Sequence, residues 1–133
     1  MRWADITYTM ATDKQDKHII KNVGEVLKAL REMKANYESY VILVAQPLPQ
    51  GITFLQTCCN VDENTGFFRR LTGNNKLYLV ETQTERDDGS SIHYRLKTKK
   101  RNVVEQIFKD YFLYQTSPDL SEWEDVSSEP LYS

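Results

Sequence analysis

The chain has 133 residues and a formal net charge of −2, with 40% hydrophobic and 27% charged residues. That length suits one domain, residues 1–133, with a core that needs neither disulfides nor a metal to hold it. No apolar run reaches the length of a membrane span, the opening residues read as a strand and not as a secretory leader, and the slight acidity argues against nucleic acid as the main ligand, so a cytoplasmic protein without membrane contact is expected.

Ala4, Ile6, Tyr8 and Met10 alternate with polar neighbours and predict a first strand over about 3–10. The polar stretch 11–17 reads as a loop. Asn22 and Glu25 have capping-box spacing, and Val23, Val26, Leu27, Leu30 and Met33 follow helical spacing to about residue 36. Residues 40–45 are a continuous apolar run rich in β-branched side chains, as in a strand buried on both faces. Two prolines and a glycine turn the chain at 46–51. A strand over 52–58, a turn at 62–66, a short strand over 67–71 and a long strand over 76–84 follow. Asp88-Gly89 is a hairpin signal. In the returning strand Ile92, Tyr94 and Leu96 alternate with His93, Arg95 and Lys97, which predicts a basic wet face.

From Asn102 onward Val103, Val104, Ile107, Phe108, Tyr111 and Phe112 fall on one helical face, with Glu105 placed to complete a cap on Asn102. Pro118 stops that helix. The segment from residue 116 to the end carries five acids and no bases, and Trp123 is its natural anchor to the body. Residues 67–115 hold ten bases against six acids, so tail and body offset each other in charge. The order β-α-β-β-(β)-β-β-α predicts an α+β fold: an antiparallel sheet of four to six strands covered by two helices, a two-layer sandwich with an acidic tail.

Chemistry is sparse. His18 and His93 have no neighbouring ligand at metal spacing. The only cysteines, Cys58 and Cys59, are adjacent and point to opposite faces of a strand, so both are expected reduced, with at least one in the core. No glycine-rich phosphate loop is present. No catalytic group, cofactor or metal is therefore expected, and the protein is read as a non-enzyme. A nucleic-acid or ligand-binding reading rests on Arg69, Arg70, Arg95, Lys97, Lys99, Lys100 and Arg101 with aromatic residues interleaved.

The capped first helix (Asn22-Val23-Gly24-Glu25-Val26-Leu27), the meander, and an aromatic helix end (Tyr111-Phe112) followed by Pro118 and Trp123-Glu124 resemble the immunity proteins of bacterial polymorphic toxin and contact-dependent growth inhibition systems, in particular the family often encoded beside deaminase toxins. The order of elements covers most of the chain, whereas only its final segment is motif-like. The chain departs from the family in a longer loop before the first helix and in the extended acidic end 125–133. The resemblance implies a cytoplasmic antitoxin that binds one cognate toxin domain, a nuclease or deaminase acting on nucleic acid, and blocks its basic cleft without chemistry of its own. On that reading the partner-binding candidates are Glu122, Glu124, Asp125 and Glu129 in the tail and Glu85, Asp87 and Asp88 at the hairpin tip, with Tyr78 and Tyr94 as aromatic anchors unless one or both belong to the core. The oligomeric state stays open, a homodimer included.

Overall fold

In the computed structural model the described residues are 6–34, 36–46, 52–61, 76–85, 88–115 and 118–128. They form β1 (Thr7–Thr12), β2 (Gln15–Ile19), α1 (Val23–Arg31), β3 (Asn36–Gln46), β4 (Ile52–Val61), β5 (Lys76–Glu85), β6 (Ser91–Thr98), α2 (Arg101–Leu113) and β7 (Glu124–Asp125). The strands make one antiparallel sheet in the order β2-β1-β3-β4-β5-β6-β7. The fold is α+β, as expected, but the sheet has seven strands where the sequence reading counts four to six. The two unforeseen strands are its edges, β2 and β7. The start of the expected first strand, the 62–66 turn and the 67–71 strand lie outside the described residues, as does most of the 46–51 turn.

Helix α1 begins where local chemistry says it should. Asn22 Oδ1 accepts from the Glu25 N–H at 3.2 Å, and Glu25 Oε2 accepts from the N–H groups of Asn22 (3.3 Å) and Lys21 (2.7 Å). Free donors of the first turn are thereby satisfied. A Cβ on Gly24 would stand 3.0 Å from Asn22 Oδ1, so glycine leaves this cap its room. The helix ends at Arg31, five residues before the expected limit. Met33 is still buried, at 4% exposure, but lies in the turn beyond the helix. Its apolar spacing therefore mimics another helical turn.

The capping bonds hold the Glu25 carboxyl below its ordinary 4.5. Stability gained from them is full above that ordinary value and is lost as pH falls through the lowered one. Acid titration of the folded protein should therefore show a steeper loss of stability below pH 4.5 in the parent than in Glu25→Gln. Parallel curves would mean the cap contributes nothing.

Register assigns the two faces of the sheet. Val41, Leu43 and Ala45 stand beside Met10 and Tyr8 on one side and Leu55 and Thr57 on the other, and Thr57 and Cys59 lead on to Val80 and Tyr78. All of these are buried, and the apolar ones pack with Val26 and Leu30 of α1 and Val104, Phe108 and Tyr111 of α2. The expectation of a wholly buried strand over 40–45 is corrected here: its odd-numbered residues are in the core, while Ile42 and Val44 on the second face are half-buried and Tyr40 is 37% exposed.

Helix α2 is tied to β1 by Tyr8, whose hydroxyl donates to the Tyr111 carbonyl at 2.8 Å and whose ring meets Tyr111 edge-on, centroids 5.8 Å apart. Its start differs from expectation. Lys100 is the N-cap, without a side-chain cap bond, and Glu105 turns away from Asn102 to bridge Arg101 (3.0 Å) and Arg31 of α1 (3.1 Å). Two guanidinium groups compete for that carboxylate and outweigh a cap bond to a neutral amide.

Both cysteines are free, Cys59 buried and Cys58 half-buried. Burial pushes the Cys59 thiol up to about 11. Near pH 8 its thiolate fraction is about a hundredfold below that of an ordinary thiol, so alkylation in the folded state should be slower by that factor and recover in denaturant. Mass spectrometry of iodoacetamide-treated Cys58→Ser protein checks this. Rapid labelling without denaturant would contradict the seat assigned to Cys59.

Candidate partner-binding site

The hairpin between β5 and β6 turns through Gly89, whose φ of 87° suits glycine. Asp88 Oδ1 accepts from Ser90 N (2.9 Å) and Ser90 Oγ (2.6 Å), which fixes the tip. Asp88 and Glu85 are both exposed, Glu85 standing opposite Ser91. Asp87 lies outside the described residues.

The tail returns to the body and becomes part of the sheet. Asp119 Oδ1 accepts from Ser121 N at 3.0 Å, a bond that also holds this carboxyl below its ordinary 3.8. Trp123 N donates to Leu120 O at 3.0 Å, and the Trp123 side chain packs, half-buried, against the core. Glu124 and Asp125 then pair with Arg95 and Tyr94 as β7. Val126, 3% exposed, donates its N–H to His93 O at 2.8 Å. Asp125 Oδ1 accepts from Ser127 N and Oγ, and Ser127 Oγ in turn accepts from His93 N. Trp123 is thus an anchor, as the sequence suggests, with Val126 as a second one.

Three Asp-x-Ser turns (88–90, 119–121 and 125–127) use one chemistry: an Asp oxygen accepting from the N–H two residues on. Sequence reasoning missed this repeat, although its spacing is visible in the chain.

Of the remaining candidates, Glu122, Glu124 and Asp125 are exposed, and Glu129 lies outside the described residues. Tyr78 is corrected. It is 2% exposed in the core between the sheet and α2, and burial raises its hydroxyl pKa, so it offers no ring to a partner. Tyr94 is half-buried beside Asp125 and keeps a surface.

The basic wet face expected on β6 is also corrected. On the face of the sheet away from the helices, Glu81 of β5 stands opposite Arg95, with Arg95 Nη2 3.5 Å from Glu81 Oε2. His93 Nε2 is 2.8 Å from the same oxygen, a donor–acceptor distance when the proton sits on Nε2. Glu81, His93 and Arg95 keep 7%, 7% and 12% of their side-chain surface, so only Lys97 of that row is exposed. Burying two basic side chains is tolerable because a carboxylate faces both. Arg69 and Arg70 lie outside the described residues.

A cleft of about 630 Å³ lies between the outer side of α2 and the returning tail, lined by Gln106, Ile107, Asp110, Tyr114, Pro118, Asp119 and Trp123. Among the described residues no group of three or more His, Cys, Asp or Glu side chains is placed to hold a metal ion, and no helix is long and apolar enough to cross a membrane.

No family model matches this chain, and no curated protein or solved structure matches it.

Proposed function

We propose that this protein is an immunity protein: a non-enzymatic inhibitor that binds a cognate bacterial toxin domain and blocks a cleft built for nucleic acid. One observation supports the reading most. The tail folds back on β6, so that Glu124 and Asp125 flank Arg95 and Tyr94, while the hairpin tip carrying Glu85 and Asp88 begins at Ser91 of the same strand. Ser91 is about 10 Å from Tyr94 at a strand's rise per residue. Two acidic segments far apart in sequence thereby form one edge. Three Asp-x-Ser turns and the Trp123 and Val126 anchors fix its backbone before any partner arrives, which lowers the ordering cost of association.

An acidic edge of this kind complements the basic groove of an enzyme that handles phosphates, and such complementarity speeds encounter. The alternative, a nucleic-acid or ligand-binding module using the basic strand face, is disfavoured by the pairing of Arg95 with Glu81 and of Arg101 with Glu105.

The direct test is co-expression with the product of the gene immediately upstream, read as growth rescue and as a complex in pull-down. Absence of both would sink the proposal. Within a complex, the variant Glu122→Lys, Glu124→Lys, Asp125→Asn should weaken affinity by about 10- to 100-fold, mainly through slower association with a reduced salt dependence. Asparagine at 125 can still accept the Ser127 bonds, so the turn is retained. Unchanged association kinetics would remove the edge from the interface.

A further inference from the structure

We propose that the cleft between α2 and the returning tail receives the cationic end of a lysine or arginine side chain from a basic partner protein. The proposal rests on the partner-binding reading for the source of that side chain.

The walls decide the ligand class. Ile107, Tyr114, Pro118 and Trp123 offer apolar and aromatic surface, and Asp110 and Asp119 are the charged groups that line it. Among the described residues no lysine or arginine lines the cleft, and the two aspartates give that lining a negative charge. A site of this kind suits a cation on an apolar stem: the methylenes lie along the hydrophobic wall while the head meets carboxylates and a ring face. An anion would be repelled, and a neutral apolar group would leave two carboxylates to be desolvated without compensation.

Both carboxylates are fixed in place. Asp110 Oδ1 accepts from Gln106 Nε2 at 2.8 Å, and Asp119 Oδ1 from Ser121 N at 3.0 Å. A carboxylate has about four acceptor positions, so each retains capacity for a charged donor. Gln115, next to the C-cap Tyr114, adopts the left-handed region (φ 53°), and Pro118, Asp119 and Trp123 of the tail line the cleft together with Gln106, Ile107 and Asp110 of α2. A protein source is favoured by continuity, because Trp123 is followed directly by Glu124 and Asp125 of the acidic edge.

The test uses the full chain and three probes: N-acetyl-arginine amide, N-acetyl-lysine amide and N-acetyl-citrulline amide, the last a neutral mimic of arginine. The readout is the NMR shift of the Trp123 indole N–H, assigned with Trp3→Phe. The two cationic probes should give saturable shifts and citrulline should not. The double variant Asp110→Asn, Asp119→Asn keeps the oxygens that accept from Gln106 and Ser121, and it should bind the cationic probes at least tenfold more weakly. Should that variant unfold, added salt serves instead on the unaltered chain: arginine binding should weaken with ionic strength and citrulline should not respond. Absence of a saturable shift, equal binding of citrulline, or no effect of either the double variant or salt would each overturn the proposal. These results need no toxin, so protection in co-expression without probe binding discards the cleft and keeps the immunity reading. Probe binding without protection or a complex overturns the protein source and leaves a small cationic ligand.

Discussion

Truncation of Phe108 to alanine should lower the free energy of unfolding by about 3–5 kcal/mol, the usual cost of removing a fully buried aromatic ring. Phe108 is 0% exposed and lies in the core with Val104 and Tyr111 of the same helix, the residues that seat α2 over the sheet. Full burial within the core cluster limits how far the site can collapse, which keeps the cost at the cavity-forming level. With a denaturant slope of about 1.5–2 kcal/mol per molar, the urea midpoint should fall by about 2 M. Asn102→Ala on the exposed side of the first turn is the internal comparison. Its cost should stay within about 0.5 kcal/mol, because Lys100 and not Asn102 occupies the cap position. A loss near 1 kcal/mol would instead restore Asn102 as the cap. A Phe108→Ala loss below about 1.5 kcal/mol would mean that α2 is not seated on the sheet as described.

What could be read from the sequence follows from how local each signal is. The Asn22–Glu25 cap was legible because both partners lie within one turn, and the Asp88-Gly89 turn because its geometry depends on two residues. The apolar faces of β1 and α2 were legible because burial on one side imprints a period. Strand β2 was not. Gln15, Asp16, Lys17 and Ile19 are exposed and His18 only half-buried, so an edge held by backbone bonds to β1 leaves no pattern in its side chains. The same holds for β7, two exposed acids that become a strand only because β6 offers a free edge.

The candidate site was legible in part for a related reason. Acids in the tail and at the hairpin tip could be counted in the chain, but their common edge depends on the pairing of residues 94–95 with 124–125, a contact across thirty positions. Tyr78 and Tyr94 read alike from the chain, both being tyrosines in strands. What separates them is what lies above each: α2 over Tyr78, and the thin β7 edge beside Tyr94. Hydrophobic periodicity carries no information on which part of a face the helices reach.

Replacing Glu81 by alanine should destabilise the protein by about 3 kcal/mol, because two basic side chains then remain in a poorly hydrated place without their carboxylate. Glu81 lies within reach of both His93 Nε2 (2.8 Å) and Arg95 Nη2 (3.5 Å), and it is itself 6% exposed. The partial exposure of Arg95, 12% of its side chain, places the cost at the lower end of that seen when one member of a buried pair is removed. Glu81→Gln should cost less, since the amide keeps an acceptor but not the charge. The informative variant is the double substitution Glu81→Leu with Arg95→Met. Removal of both charges from the same pair of cross-strand positions should recover most of the loss, because desolvation of each charge disappears along with their attraction. The consequence reaches the acidic edge as well. The backbone of His93 holds the tail through Val126 N and Ser127 Oγ, so loss of order at His93 should release β7. Hydrogen exchange at the Val126 amide should therefore accelerate in Glu81→Ala by more than at the Val80 amide in the middle of β5. Equal acceleration at both amides would show that Glu81 stabilises the sheet as a whole and does not specifically secure the returning tail.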